Sequence, residues 1–225
     1  MLIPRLHIPD GFIDIPTSAI FGVLALVFVA IALKGAARTL DDRTTPLAGL
    51  TAVFIFAAQM INFPVAAGTS GHLVGAALAT ALVGPYSATL ALTVVLGIQA
   101  LLFADGGLTA LGLNVFNLSV LAVWVSHFVI LTLKRILPKN KYGFTLATAI
   151  AAFISVPFAA AGFAIQYALG GTGTIPADTV ATAMLSTHVF IGIGEAIITF
   201  MTVSAVIASR SDLVYGYKEK LEVRA

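Results

Sequence analysis

The stretch TSAIFGVLALVFVAIALKG, residues 17–35, holds one charged side chain, Lys34, among nineteen residues. A helix crosses the hydrocarbon core of a bilayer with about 20 such residues. Working outward along the chain, further apolar runs lie at 46–66, 72–84, 86–104, 108–133, 145–169 and 180–208. The breaks between them carry turn or loop chemistry: ARTLDDRTT at 37–45, AAGTSG at 66–71, Gly84-Pro85, ADGG at 104–107, KRILPKNKYG at 134–143 and GGTGTIPAD at 170–178. The pattern predicts an all-α fold, a polytopic membrane bundle of about seven transmembrane helices, as a single integral membrane domain over residues 1–225. The third run is the shortest, and Gly84-Pro85-Tyr86 argues against merging it with the fourth.

Composition agrees with that reading. Of the 225 residues, 59% are hydrophobic and 10% are charged, against about 45–50% and about 25% in soluble domains. There is too little charge to cover a water-soluble surface, and the bilayer is therefore an obligate partner. A formal charge of +2 does not suggest nucleic acid, and the absence of cysteine excludes disulfides, thiolate metal sites and cysteine nucleophiles. The opening segment MLIPRLHIPDGFIDIPT has one Arg and two Asp before the first apolar run. That is the reverse of a secretory signal, so no cleaved leader is expected.

Lys and Arg set the expected orientation. Lys34, Arg38 and Arg43 fall in the first connection, Lys134, Arg135, Lys139 and Lys141 in the fifth, and Arg210, Lys218, Lys220 and Arg224 in the C-terminal tail. With seven spans these segments share one side, leaving Arg5 on the other. The N-terminus is then outside and the C-terminus cytoplasmic, in a cell membrane. The outward segments, 1–16, 66–71, 104–107 and 170–179, are rich in Gly, Pro, Thr and Asp, and such loops approach a ligand through backbone atoms.

The four histidines are the candidate metal ligands, since imidazole is the common nitrogen donor for divalent transition metals. His7 in LHIPDGF, His72 after GTSG and His188 in the outer half of the last span can converge from outside, whereas His127, beside Trp124 near the cytoplasmic end of the fifth span, cannot. A histidine that is second in a chain forms fused chelate rings through the terminal amine, its own amide nitrogen and its imidazole. One further imidazole completes a square-planar nitrogen site suited to Ni(II), Co(II) or Cu(II). Here His7 is seventh, and that chelate needs a chain that begins at Leu6. Ligating imidazoles must be neutral, so affinity is expected to fall below the ordinary imidazole pKa of about 6.5.

Glu195 is the acidic residue deep within a span, two turns from His188 on one helix face. The pair reads either as a proton relay or metal-supporting shell, or as a polar network locking helices, with Gly192 and Gly194 as close-packing residues. Asn114 and Asn117, one turn apart, carry the same two readings. No G-x-x-x-x-G-K-[ST] and no H-E-x-x-H occur. The chain is therefore expected to be no enzyme, and to lack its own ATPase site.

Four segments in order, HIPDGF at 7–12, GTSGHLVGA from Gly68, QALLFADGGLTALGLNVFN at 99–117 and HVFIGIGEA at 188–196, resemble the CbiM/NikM family, the substrate-binding membrane subunits of cobalt and nickel energy-coupling factor (ECF) ABC transporters. The resemblance implies a six-helix core with an added N-terminal helix and a chain start folded into the core from outside. It implies a metal held by His7 and His72 together with backbone nitrogens near Leu6 and His7, with Asn114, Asn117, His188 and Glu195 as supporting or packing residues. No cofactor is bound permanently; Co(II) or Ni(II) is cargo. A transmembrane coupling subunit, cytoplasmic ATPase subunits and a small accessory membrane subunit are the implied partners. Members of this family begin Met-His, whereas MLIPR precedes Leu6-His7 here. The sequence reading therefore expects a functional start at position 6, with a UUG or CUG codon read as Met. The rival reading is a stand-alone proton- or ion-coupled secondary transporter using His188 and Glu195.

Overall fold

The computed structural model describes residues 7–41, 44–64 and 70–217. Arg5, Leu6, Arg43, Lys218, Lys220 and Arg224, and residues 66–69 of the expected outer loop, lie outside the described residues. Among the described residues five helical stretches are long and apolar enough to cross a membrane: Ile15–Ala36 (α1), Ala76–Leu102 (α3), Leu111–Ile136, Lys141–Gly170 (α6) and the stretch beginning at Ala177. The third of these is built from α4 (Leu111–Asn114), a π-helical turn (Val115–Leu121) and α5 (Ala122–Ile136), and the last is mostly α7 (Ala177–Arg210). Thr44–Gln59 (α2) is apolar but shorter. A two-stranded antiparallel ribbon, β1 (Asn62–Pro64) and β2 (Ser70–His72), connects α2 to α3.

Helix α1 begins where the sequence places a cap. Asp14 accepts a hydrogen bond from Thr17 N–H at 2.9 Å, and Pro16 occupies the first turn, where no intrahelical donor is required. Its Ala25, Ala32 and Ala36 are buried, while Ile20, Val23, Leu26 and Val27 face outward. Small residues inward and large apolar ones outward is the arrangement of a helix solvated by lipid. The interior of α3 follows the same rule, with Ala76, Ala77, Ala79, Ala81, Ala88 and Ala91 buried.

The separate spans expected at 72–84 and 86–104 correspond to two helical segments that follow one another within α3. The run is broken at Gly84, whose φ of 79° and ψ of 165° are not helical. Gln59 shows what the break does. Its side-chain amide donates to Val74 O at 2.9 Å, just before α3 begins, and its Oε1 accepts from Gln99 Nε2 at 3.1 Å, near the end of α3. A straight helix would hold residues 76 and 99 about 35 Å apart. The chain therefore reverses at Gly84, and the arms 76–83 and 85–102 run antiparallel.

Two ends of the bundle result. At one end Gly84 packs against the ring of Tyr215, a Cβ on Gly35 would overlap Tyr86, and Lys134 Nζ donates to Gly216 O at 2.9 Å. The Lys and Arg residues that are described, Lys34, Arg38, Lys134, Arg135, Lys139, Lys141 and Arg210, belong to the segments that meet there. The chain start, the ribbon, the loop at 103–110 and the α6–α7 connection gather at the other.

Candidate metal-binding site

The N-terminal segment is strapped to two loops. Pro9 and Gly11, the latter with φ of 75°, turn the chain back toward α1. Ile8 O accepts Gly107 N–H at 2.9 Å, and Asp10 Oδ1 accepts both Thr109 N–H and Thr109 Oγ1 at 2.7 and 2.6 Å. On the far side Thr172 Oγ1 donates to Gly11 O at 2.6 Å, Thr172 N–H to Phe12 O at 3.2 Å, and Asp14 N–H to Gly170 O at 2.7 Å. Asn114 treats Ile8 as a strand partner would: its Oδ1 accepts Ile8 N–H at 3.0 Å and its Nδ2 donates to Ile8 O at 3.2 Å. Phe12 stacks on Phe163, with Tyr167 beside it.

This scaffold carries His7 to His72. The two rings meet edge to face with centroids 4.7 Å apart, and both residues are buried, at 7% and 5% exposure. Strand β2 ends at His72, paired with Asn62 of β1. His72 Nδ1 lies 2.8 Å from Leu73 O, which fixes Nδ1 as the protonated nitrogen of the neutral ring and leaves Nε2 with its lone pair. Burial, reinforced by the neighbouring His7 imidazole, pushes the His72 pKa down to about 3. That corrects the sequence expectation for this ligand: protonation of His72 does not compete with a metal near pH 6.5. Among the described residues His7 Nε2 has no hydrogen-bond partner, and His7 Nδ1 is 3.6 Å from Asp105 Oδ2.

Among the described residues no three His, Cys, Asp or Glu side chains are grouped to hold a metal ion. Two imidazoles alone make an incomplete set. The backbone amide of His7 adjoins the pair, and Leu6 lies outside the described residues.

Glu195, at 2% exposure, reaches out of α7 to the segment following His72. Its Oε2 accepts Val74 N–H at 2.6 Å and its Oε1 accepts Gly75 N–H at 2.8 Å. Gly75 has φ of 77°, and a Cβ there would stand 2.9 Å from Ile55 Cγ1, so a side chain at this position is strained. With Gln59 on the carbonyl of Val74, the peptide two residues beyond His72 is held from both faces. A narrow cleft lined by Phe54, Ile55, Gln59, Leu73, Leu78 and Glu195 opens beside it.

The remaining sequence candidates sort by geometry. His188 Nδ1 lies 2.7 Å from Met184 O, and His188 is near enough to act electrostatically on His72. Asn117 forms a reciprocal amide pair with Gln166, at 2.7 and 3.0 Å, against Gly162. Gly192 packs against the Phe153 backbone, but Gly194 has open space beside it and is no packing glycine. His127 sits among Trp124 and Phe128, away from the other histidines. Sequence reasoning missed Asp105, Gln59 and Asn114's partner. The signal for Asp105 was available: it is a carboxylate in a glycine loop of a chain with few acids.

The fold is that of a multi-pass membrane bundle in which the segment from His7 packs two buried imidazoles together. The family model described as the cobalt uptake substrate-specific transmembrane region, CbiM, matches residues 7–213, and the chain belongs to that family. It is 36% identical over 93% of its length, and 68% of the relative's, to a protein of Archaeoglobus fulgidus named as a fused nickel transport protein, NikMN. It is 31% identical to the cobalt transport protein CbiM of Sorangium cellulosum, covering 93% of this chain and 94% of that one. A crystal structure of a transition metal transporter superposes with a TM-score of 0.84 at 29% identity, covering 98% of this chain and all of the other.

Proposed function

We propose that this chain is the substrate-specific membrane subunit of an energy-coupling factor ABC importer, which captures Co(II) or Ni(II) from outside the cell. The observation that carries the proposal is the contact between His7 and His72 at the end of the bundle away from the described Lys and Arg residues. In this reading the bundle makes seven crossings, with the turn at Gly84 counted as a reversal, and the N-terminus lies outside. The cation enters at the end away from the described Lys and Arg residues and exchanges water for the imidazoles of His7 and His72 and for backbone nitrogens near Leu6 and His7. Glu195, Gln59 and Asn114 hold those ligands in place, so little reorganisation accompanies capture. A nitrogen set of this kind accepts either metal.

Transport then depends on cytoplasmic ATPase subunits acting through a transmembrane coupling subunit, with a small accessory membrane subunit. The stand-alone alternative, with His188 and Glu195 as a proton relay, is disfavoured because both oxygens of Glu195 are occupied by backbone N–H groups of Val74 and Gly75. Co-purification from the native membrane tests the assignment. Recovery with coupling and ATPase subunits supports it. A chain that purifies alone and drives metal uptake into proteoliposomes under a proton gradient contradicts it.

A further inference from the structure

The loop between α3 and α4 is shaped to bring a carboxylate to the histidine pair. Ala104 takes φ of 52°, a left-handed conformation that a side-chain-bearing residue adopts only at a cost, and Gly106 follows with φ of 96°. Asp105 N–H donates to Gln99 O at 3.0 Å, which ties the bend to the end of α3. A Cβ on Gly106 would stand 2.9 Å from His7 Cβ and 3.3 Å from Asn114 Nδ2, so the loop lies directly on the His7 side chain. Asp105, with a side chain only 12% exposed, thereby presents Oδ2 to His7 Nδ1 at 3.6 Å, and its charge reaches His72 as well.

The proposed donors are imidazole and backbone nitrogens. Such a set returns at most one negative charge to a dication, which stays net positive in a buried site where uncompensated charge is costly. Resting on the metal-capture reading above, we infer that Asp105 is the charge-compensating residue of that site: its carboxylate, held beside the His7 imidazole, supplies from outside the ligand set the negative charge that the nitrogens lack. It is not a ligand. Its role depends on its charge, not on its shape, and this separates it from Asn114, whose role is to pair with the backbone of Ile8.

The test titrates the purified full-length chain with Co(II) and with Ni(II) by calorimetry and records the visible absorption of the Co(II) form, for wild type, Asp105→Asn, Asp105→Ala and His72→Ala. Both Asp105 variants are expected to bind each metal about 10–100-fold more weakly than wild type, the range for a lost supporting partner of a ligand. Their Co(II) absorption maxima stay unmoved, and the melting temperature of the metal-free protein is unchanged. Wild-type affinity in Asp105→Asn overturns the inference, because it makes the role one of shape. A shifted Co(II) spectrum overturns it differently, by making Asp105 a ligand. Wild type and His72→Ala test the site itself: if wild type binds no metal, the capture reading fails and the role of Asp105 fails with it.

Discussion

Oε1 of Glu195, midway along α7, accepts the backbone N–H of Gly75 at 2.8 Å, bridging 120 positions of sequence to the residue three beyond His72. The companion oxygen takes Val74 N–H at 2.6 Å. The buried carboxyl group thus does for the arm 76–83 what a capping side chain does for an ordinary helix, but from a neighbouring helix. Glu195→Ala leaves two buried donors unpaired, at about 1–3 kcal/mol each. The melting temperature in detergent should fall clearly, and metal affinity with it. Glu195→Gln keeps one acceptor and should lie between. Thermal unfolding followed by circular dichroism checks both.

Asn114 governs the other half of the site. In Asn114→Ala the N–H and C=O of Ile8 lose their partners inside the protein, which should loosen residues 7–14 without unfolding the bundle. Hydrogen exchange measured by mass spectrometry should quicken in that peptide and remain unchanged in α6, and metal should bind about 10-fold or more weakly. Equal protection of residues 7–14 in variant and wild type would contradict this role.

Gly106→Ala should be more damaging than its size suggests. The added methyl group meets His7 Cβ at 2.9 Å, and φ of 96° is unfavourable for any L-residue, at about 1–2 kcal/mol. Displacing His7 from His72 is expected to lower metal affinity more than stability. Gly194→Ala, placed in open space, should leave both unchanged. A side-by-side titration of the two variants reads the difference.

Acid lability follows from His72. Its pKa is about 3 in the folded protein against 6.5 when unfolded, so between those values the unfolded chain binds the extra proton. Stability from this group is therefore complete above about pH 6.5 and is lost progressively as pH falls toward 3. The metal-free His72→Gln variant should show a shallower decline of melting temperature from pH 7 to pH 4.5 than wild type. Metal affinity, by contrast, should lose nothing to His72 protonation in that range, and any fall near pH 6.5 must come from other ligands.

Much of this was legible in the residues. Long apolar runs broken by charge clusters and glycine loops specified a membrane bundle, because a bilayer permits few other solutions. The pairing of His7 with His72 was anticipated as well, since both stood in segments expected at the same face. The break at Gly84 was legible from Gly84-Pro85 alone, although no charge marks the reversal there. Roles of the polar residues were hidden. Glu195 acts on Gly75 and Gln59 on Val74, and both contacts depend on tertiary placement that a local pattern does not encode. The sequence put Gly192 and Gly194 on equal terms, and packing against Phe153 distinguishes them.

The central claim is that His7 and His72 together capture a divalent transition metal, and calorimetric titration of the purified chain with Ni(II) and Co(II) tests it most directly. Wild type should bind one ion per chain, His72→Ala should bind at least 100-fold more weakly, and His127→Ala, remote from the pair, should match wild type. Undiminished binding by His72→Ala would contradict the account.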